Sequence, residues 1–148
     1  CIRDRSGDPR PQYEGRSHVW LPEKYKLKDA AFYKEHAVFT FNTLYEEAQY
    51  VIYAVAEVSI NPSDADYLPF WAYENFTTQS QWNAYVGKIR ELSRYRTQVD
   101  VQPGDRLLTL ATCSGADNNR RLLVAARKVR DGESTLTLKQ SVYSTTVK

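Results

Sequence analysis

Arg106-Leu107-Leu108-Thr109-Leu110-Ala111-Thr112-Cys113 is the stretch on which the reading of this chain turns. It is apolar and follows the turn residues Gln102-Pro103-Gly104-Asp105, so it is expected to be a strand. A polar loop, Ser114 to Asn119, begins directly after its last residue. The Cys113 sulfur is therefore expected at a sheet edge in reach of solvent, where a reactive thiol would sit. Taken alone, a cysteine ending an apolar run is as simply a small buried hydrophobe. The next strand signal, Arg121 to Val129 (RLLVAARKV), shifts the balance. A short connection between antiparallel neighbours brings their facing ends within side-chain reach, so Cys113 and Arg121 are expected to share one site. A guanidinium there would stabilise a thiolate and donate to a developing oxyanion. Arg120 is the alternative, because alternation sends the two arginines to opposite faces.

Working outward, Val99 to Val101 and Ser134 to Leu138 read as further strands, the second after a turn at Asp131-Gly132. Upstream, Trp82, Tyr85, Val86, Ile89 and Leu92 recur at helical steps and predict an amphipathic helix from about Thr78 to Arg94. Thr78 and Gln81 fit a capping box, and Lys88, Arg90, Glu91 and Arg94 form a solvated face. Val38 to Phe41 and Tyr50 to Ile60 are strand candidates joined by a hairpin-like turn. Asn61 to Trp71 reads as an ordered loop, and Asp29 to His36 as a short helix capped by Asp29 with Phe32 and Tyr33 inward. Residues 1–22, punctuated by Gly7, Pro9, Pro11, Gly15 and Pro22, read as an extended N-terminal loop ahead of a folded body over 23–148. The predicted class is mainly β with helical insertions, a barrel or sheet with one long helix before the cysteine-bearing strand.

The chain has 148 residues, 42% of them hydrophobic, which suits one domain with a core. Twenty basic against 18 acidic residues, scattered rather than striped, argue against a nucleic-acid binder. No apolar run reaches the length of a membrane span. Met is missing throughout, position 1 included, so further sequence is expected upstream, and any membrane attachment would come through that segment. Cys1 and Cys113 have no zinc-ligand spacing, so neither a metal nor a cofactor is expected. Two free thiols are preferred to a disulfide, because Cys1 sits at a chain end.

Thr109-Leu110-Ala111-Thr112-Cys113 resembles the TLxTC signature of sortases, and Arg121 with LLVAARKV resembles the strand that follows it in that family. The helix at 78–94 and AAFYKEH followed by a strand are similar to class B in particular, and the resemblance covers roughly residues 20–140. It implies the later part of a sortase-like β-barrel whose upstream strands are missing, and a cysteine transpeptidase at the extracytoplasmic face of a Gram-positive cell. On that resemblance Cys113 attacks a Thr carbonyl of a sorting-motif peptide to give a thioester. An amine from a cell-wall precursor or a pilin lysine then resolves it. Leu110, Ala111, Thr112 and Ser114 would bind the peptide, with the loop at 61–71 and the start of the long helix as one wall.

The third member of a sortase site is a histidine, and here the sequence departs from the pattern, since only His18 and His36 exist. His18 is the candidate general acid for the leaving amine. His36 reads as a helix-terminal or packing residue. The displaced histidine keeps open a second reading, a catalytically inactive sortase-like binding or assembly module. A papain-like hydrolase is disfavoured because its cysteine starts a helix, and a carbohydrate-binding module leaves Cys113 and Arg121 without a use.

Overall fold

The structure, a computed structural model, describes residues 26–73, 75–114 and 118–148. The expected N-terminal loop over 1–22, with Cys1 and His18, lies outside the described residues.

Helix α1 (Ala30–His36) starts where Asp29 accepts hydrogen bonds from the amides of Ala31 (2.9 Å) and Phe32 (3.1 Å). The cap satisfies amides that a first helical turn leaves open. Tyr33 is buried and donates to the Ile52 carbonyl at 2.9 Å, while Phe32 is only half-buried. Strands β1 (Val38–Asn42) and β2 (Glu47–Ser59) pair antiparallel around the tight turn at Thr43–Glu46. Phe70–Tyr73 form a 3-10 turn at the end of the loop expected over 61–71.

Helix α2 (Gln79–Leu92) buries Trp82, Tyr85, Val86 and Ile89, the stripe read from spacing. Thr78 Oγ1 accepts from the Gln81 amide at 3.3 Å. The Gln81 side chain answers one residue earlier than a capping box predicts, accepting from the Thr77 amide at 3.0 Å. The outer face is less uniformly solvated than expected. Arg90 lies over the Tyr53 ring and donates to the Val99 carbonyl at 2.5 Å.

Two-residue strands β3 (Tyr95–Arg96) and β6 (Thr146–Val147) pair separately from the main sheet. Strands β4 (Leu107–Cys113) and β5 (Arg120–Lys128) complete that antiparallel sheet in the order β1-β2-β5-β4. β5 lies between two neighbours and is buried from Leu122 to Arg127, which is why its apolar run is nearly unbroken. Arg127 is the exception, fully buried yet satisfied by the Asp100 carbonyl (2.5 Å) and both Glu133 oxygens (2.6 and 2.8 Å). Among the described residues β4 is an edge strand, half-buried along its length.

Two expected strands are corrected. Val99 to Val101 makes no ladder, because the carbonyls of Val99 and Asp100 are taken by Arg90 and Arg127 instead of a neighbouring strand. Ser134 to Leu138 opens helix α3 (Thr135–Tyr143) rather than a strand. Alternation in Thr-Leu-Thr-Leu mimics a strand, but the buried pair is Leu138 and Val142, a helical step that leaves Leu136 in solvent. Among the described residues, no helix is long and apolar enough to cross a membrane.

Candidate active site

Cys113 and Arg121 stand directly opposite one another, the last pair of the β4–β5 ladder. The next rung is hydrogen-bonded, with the Ser114 amide donating to the Arg120 carbonyl at 3.0 Å. Rungs alternate in an antiparallel pair, so Cys113 and Arg121 form a non-hydrogen-bonded pair, the class with Cα atoms about 4.5 Å apart and side chains closest. Both side chains leave the same face. Cys113 is half-buried. The Arg121 guanidinium donates through Nη1 to the carbonyls of Asn118 (2.5 Å) and Arg120 (2.9 Å), which folds it back over the start of β5.

The alternative arginine is committed elsewhere. Arg120 pairs with Asp66 at 2.7 Å on the opposite face, so of the two only Arg121 faces the side of the sheet that carries Cys113.

The same alternation sorts the residues expected to bind peptide. Ala111 shares the face of Cys113, while Leu110, Thr112 and Ser114 point to the other. Ser114 is 2% exposed, and its hydroxyl donates to Glu57 on β2, which also accepts from Lys28 Nζ at 2.7 Å. Those two bonds, Lys28 first, hold the Glu57 carboxyl below its ordinary range. No local signal marks this contact, because Ser114 and Glu57 are brought together only by pairing through β5.

On the Cys113 face, Thr109 shares a hydrogen bond with the Tyr85 hydroxyl of α2. Burial pushes the Tyr85 phenol above its usual value, so it stays protonated near neutral pH. Tyr73 and Phe76 pack on Tyr85 with ring centroids 5.1 and 5.7 Å away, an aromatic cluster that meets β4 at Thr109, ahead of the thiol in the strand. It is built from residues just after the 61–71 loop and from the middle of α2, not from the loop and helix start that the sequence suggested.

His36 has the packing role expected of it. Its ring stacks on Phe32 at 3.9 Å and Nδ1 meets the Phe32 carbonyl at 2.9 Å, within its own helix. Ile52 bonds next to it at Ala37, six residues up β2 from Val58, the partner of Arg121. That places His36 roughly 20 Å along the sheet from the thiol, at about 3.3 Å per residue. Among the described residues no group of His, Cys, Asp and Glu side chains could hold a metal ion. A cavity of about 310 Å³ lies near Tyr53, Arg90 and Lys148 and does not include Cys113.

No family model matches the chain, and no curated protein matches it. Solved structures do. Sortase B from Bacillus anthracis is 26% identical with a TM-score of 0.59, over 74% of this chain and 46% of that one. Sortase B from Listeria monocytogenes is 24% identical with a TM-score of 0.57, over 74% of this chain and 55% of that one. Staphylococcus aureus sortase B, solved as a substrate complex, is 19% identical with a TM-score of 0.61, over 74% and 49%, and its complex with triglycine scores alike at 17% identity. The chain thus spans about half the length of the structures it matches.

Proposed function

We propose, taking as premise the sortase B fold that this chain carries, that it is a sortase-type cysteine transpeptidase acting through Cys113. The Cys113 thiolate adds to a Thr carbonyl carbon of a sorting-motif peptide, and Arg121 donates to the oxyanion that forms. The tetrahedral adduct collapses with cleavage of the C–N bond, His18 gives its proton to the departing amine, and a thioester remains. A second amine adds to the thioester, gives a proton back to His18, expels the thiolate and leaves a new amide. His18 lies ten residues before Lys28, which meets Glu57 near the Cys113 end of the sheet. Ten residues can span about 33–36 Å, so that role is within reach. Ala111 and the Tyr73, Phe76 and Tyr85 wall flank the acyl half of the peptide.

The single observation that carries this reading is the cross-strand pairing of Cys113 with Arg121 while Arg120 is turned away onto Asp66. The S. aureus neighbour's complexes with substrate and with triglycine support a peptide and an amine as partners. By the same analogy the enzyme works at the outer face of the cell membrane, anchoring surface proteins or pilins to the wall. Incubation of the protein with a panel of sorting-motif peptides and triglycine should give a ligated product that vanishes in Cys113→Ala. Ligation that survives that substitution refutes the assignment.

A second reading, a catalytically silent sortase-like binding or assembly module, is favoured by one observation. The Arg121 guanidinium already serves two main-chain carbonyls, and the one described histidine is held within its own helix. Peptide binding without turnover, together with a Cys113 inert to a thiol-directed probe, would select it.

A further inference from the structure

Among the described residues β4 has a single strand neighbour, so the bonds at its C-terminal end, where Cys113 sits, matter to its position. The last rung there among the described residues is the Ser114–Arg120 bond. The buried Ser114 side chain crosses over β5 to Glu57 of β2, and Glu57 is tied to Lys28 just ahead of α1. Glu57 is the one charged residue in the long buried run of β2 between Tyr50 and Ser59. Its side chain is 36% exposed, so water shares its charge and the two bonds serve to fix its place rather than to offset full burial. A hydroxyl, a carboxylate and an ammonium in series do something an apolar residue cannot, because directional bonds fix one rotamer and one position of the strand end.

We propose that Ser114, Glu57 and Lys28 are positioning residues that clamp the end of β4 and so hold the Cys113 sulfur in place beside Arg121. The inference rests on reading Cys113 as the nucleophile, and it adds residues beyond the Cys113–Arg121 pair. Cys113 and Ser114 are consecutive, so a shift of the serine is transmitted through one peptide unit to the thiol, and a misplacement near 1 Å is enough to cost a large rate factor.

The test uses the full chain in a Cys1→Ser background, so that Cys113 alone reports. Ser114→Ala and Glu57→Ala should each slow alkylation of Cys113 by iodoacetamide and lower kcat for ligation by about tenfold, with KM unchanged. Ser114→Thr should restore both, since it keeps the hydroxyl. Measurements are made well below each variant's Tm. Alkylation and kcat that stay at wild-type values while Tm falls would overturn the proposal and leave a merely structural contact. If wild type alkylates readily in a Ser114-dependent way yet ligates no peptide, the clamp stands and the transpeptidase assignment is what fails.

Discussion

Replacing Glu133 with alanine should destabilise the fold by about 3 kcal/mol. The carboxylate meets the fully buried Arg127 in a two-pronged ion pair at 2.6 and 2.8 Å, with its own side chain 18% exposed. Removing one partner of a buried pair leaves an uncompensated charge and costs about 3–5 kcal/mol. The lower end applies, because the carbonyls of Asp100 and Lys128 and the Asp105 carboxylate at 3.9 Å remain around the guanidinium. For a chain of this size the loss corresponds to a fall in Tm of roughly 10 °C, read by circular dichroism. Lys88→Ala, which breaks the exposed pair with Glu91, is the control and should move Tm by less than about 2 °C. A Glu133→Ala shift no larger than the control would refute the reasoning. The same cluster sets an acid limit. The Arg127 bond holds the Glu133 carboxyl below its ordinary range, and for Asp105 burial pushes upward but the Arg130 guanidinium, the Gln102 amide and Arg127 together outweigh it. Both carboxyls therefore hold fewer protons in the folded chain than in the unfolded one. Their contribution is complete above the ordinary carboxylate range and is lost as pH falls from about 5 through the folded values. Glu133→Ala should accordingly flatten the decline of Tm between neutral pH and about pH 3.

Arg121→Ala should lower kcat for ligation by about 10²–10³, the usual effect of removing an oxyanion donor, while Arg120→Ala leaves turnover near wild type. Equal losses in the two variants would show that the face on which each arginine lies does not matter. Gly104 adopts φ +98° with nothing within 4 Å of where a Cβ would stand, so Gly104→Ala should cost about 1 kcal/mol through backbone strain alone, read by urea unfolding. Gly87 is exposed within α2 and equally uncrowded, so Gly87→Ala should stabilise by about 0.5–1 kcal/mol in the same assay, the opposite sign for the same change.

What the sequence disclosed was local. The strand over 106–113 and the short connection set Cys113 against the start of the next strand, alternation left Arg121 or Arg120 as the partner, and the register decides for Arg121. Asp29 and Thr78 announced their helices, because a cap acts within three residues. What it withheld was contributed from far along the chain. Val99 to Val101 has strand composition, yet arginines from α2 and β5 take its carbonyls. Thr135 to Leu138 alternates like a strand, and burial of Leu138 with Val142 decides for helix. Ser114 was expected to meet peptide, but the identity of its partner on β2 depends on a pairing that no short window contains. The displaced histidine is a different matter, since His18 falls outside the described residues.

The two faces of β4 differ in charge as well as in neighbours, and this makes the strand intolerant of a phase error. A slide by a single residue against β5 would rotate every side chain to the reverse side. The sulfur would then aim at the Glu57 carboxylate, an environment hostile to a thiolate, and a hydroxyl from Thr112 or Ser114 would take its station near the guanidinium. β5 is enclosed by its two flanking strands and its buried Arg127 is anchored at the far end by Glu133 and the Asp100 carbonyl, so the strand against which β4 is registered stays fixed. The reactive pairing is thus guarded from the opposite end of the sheet.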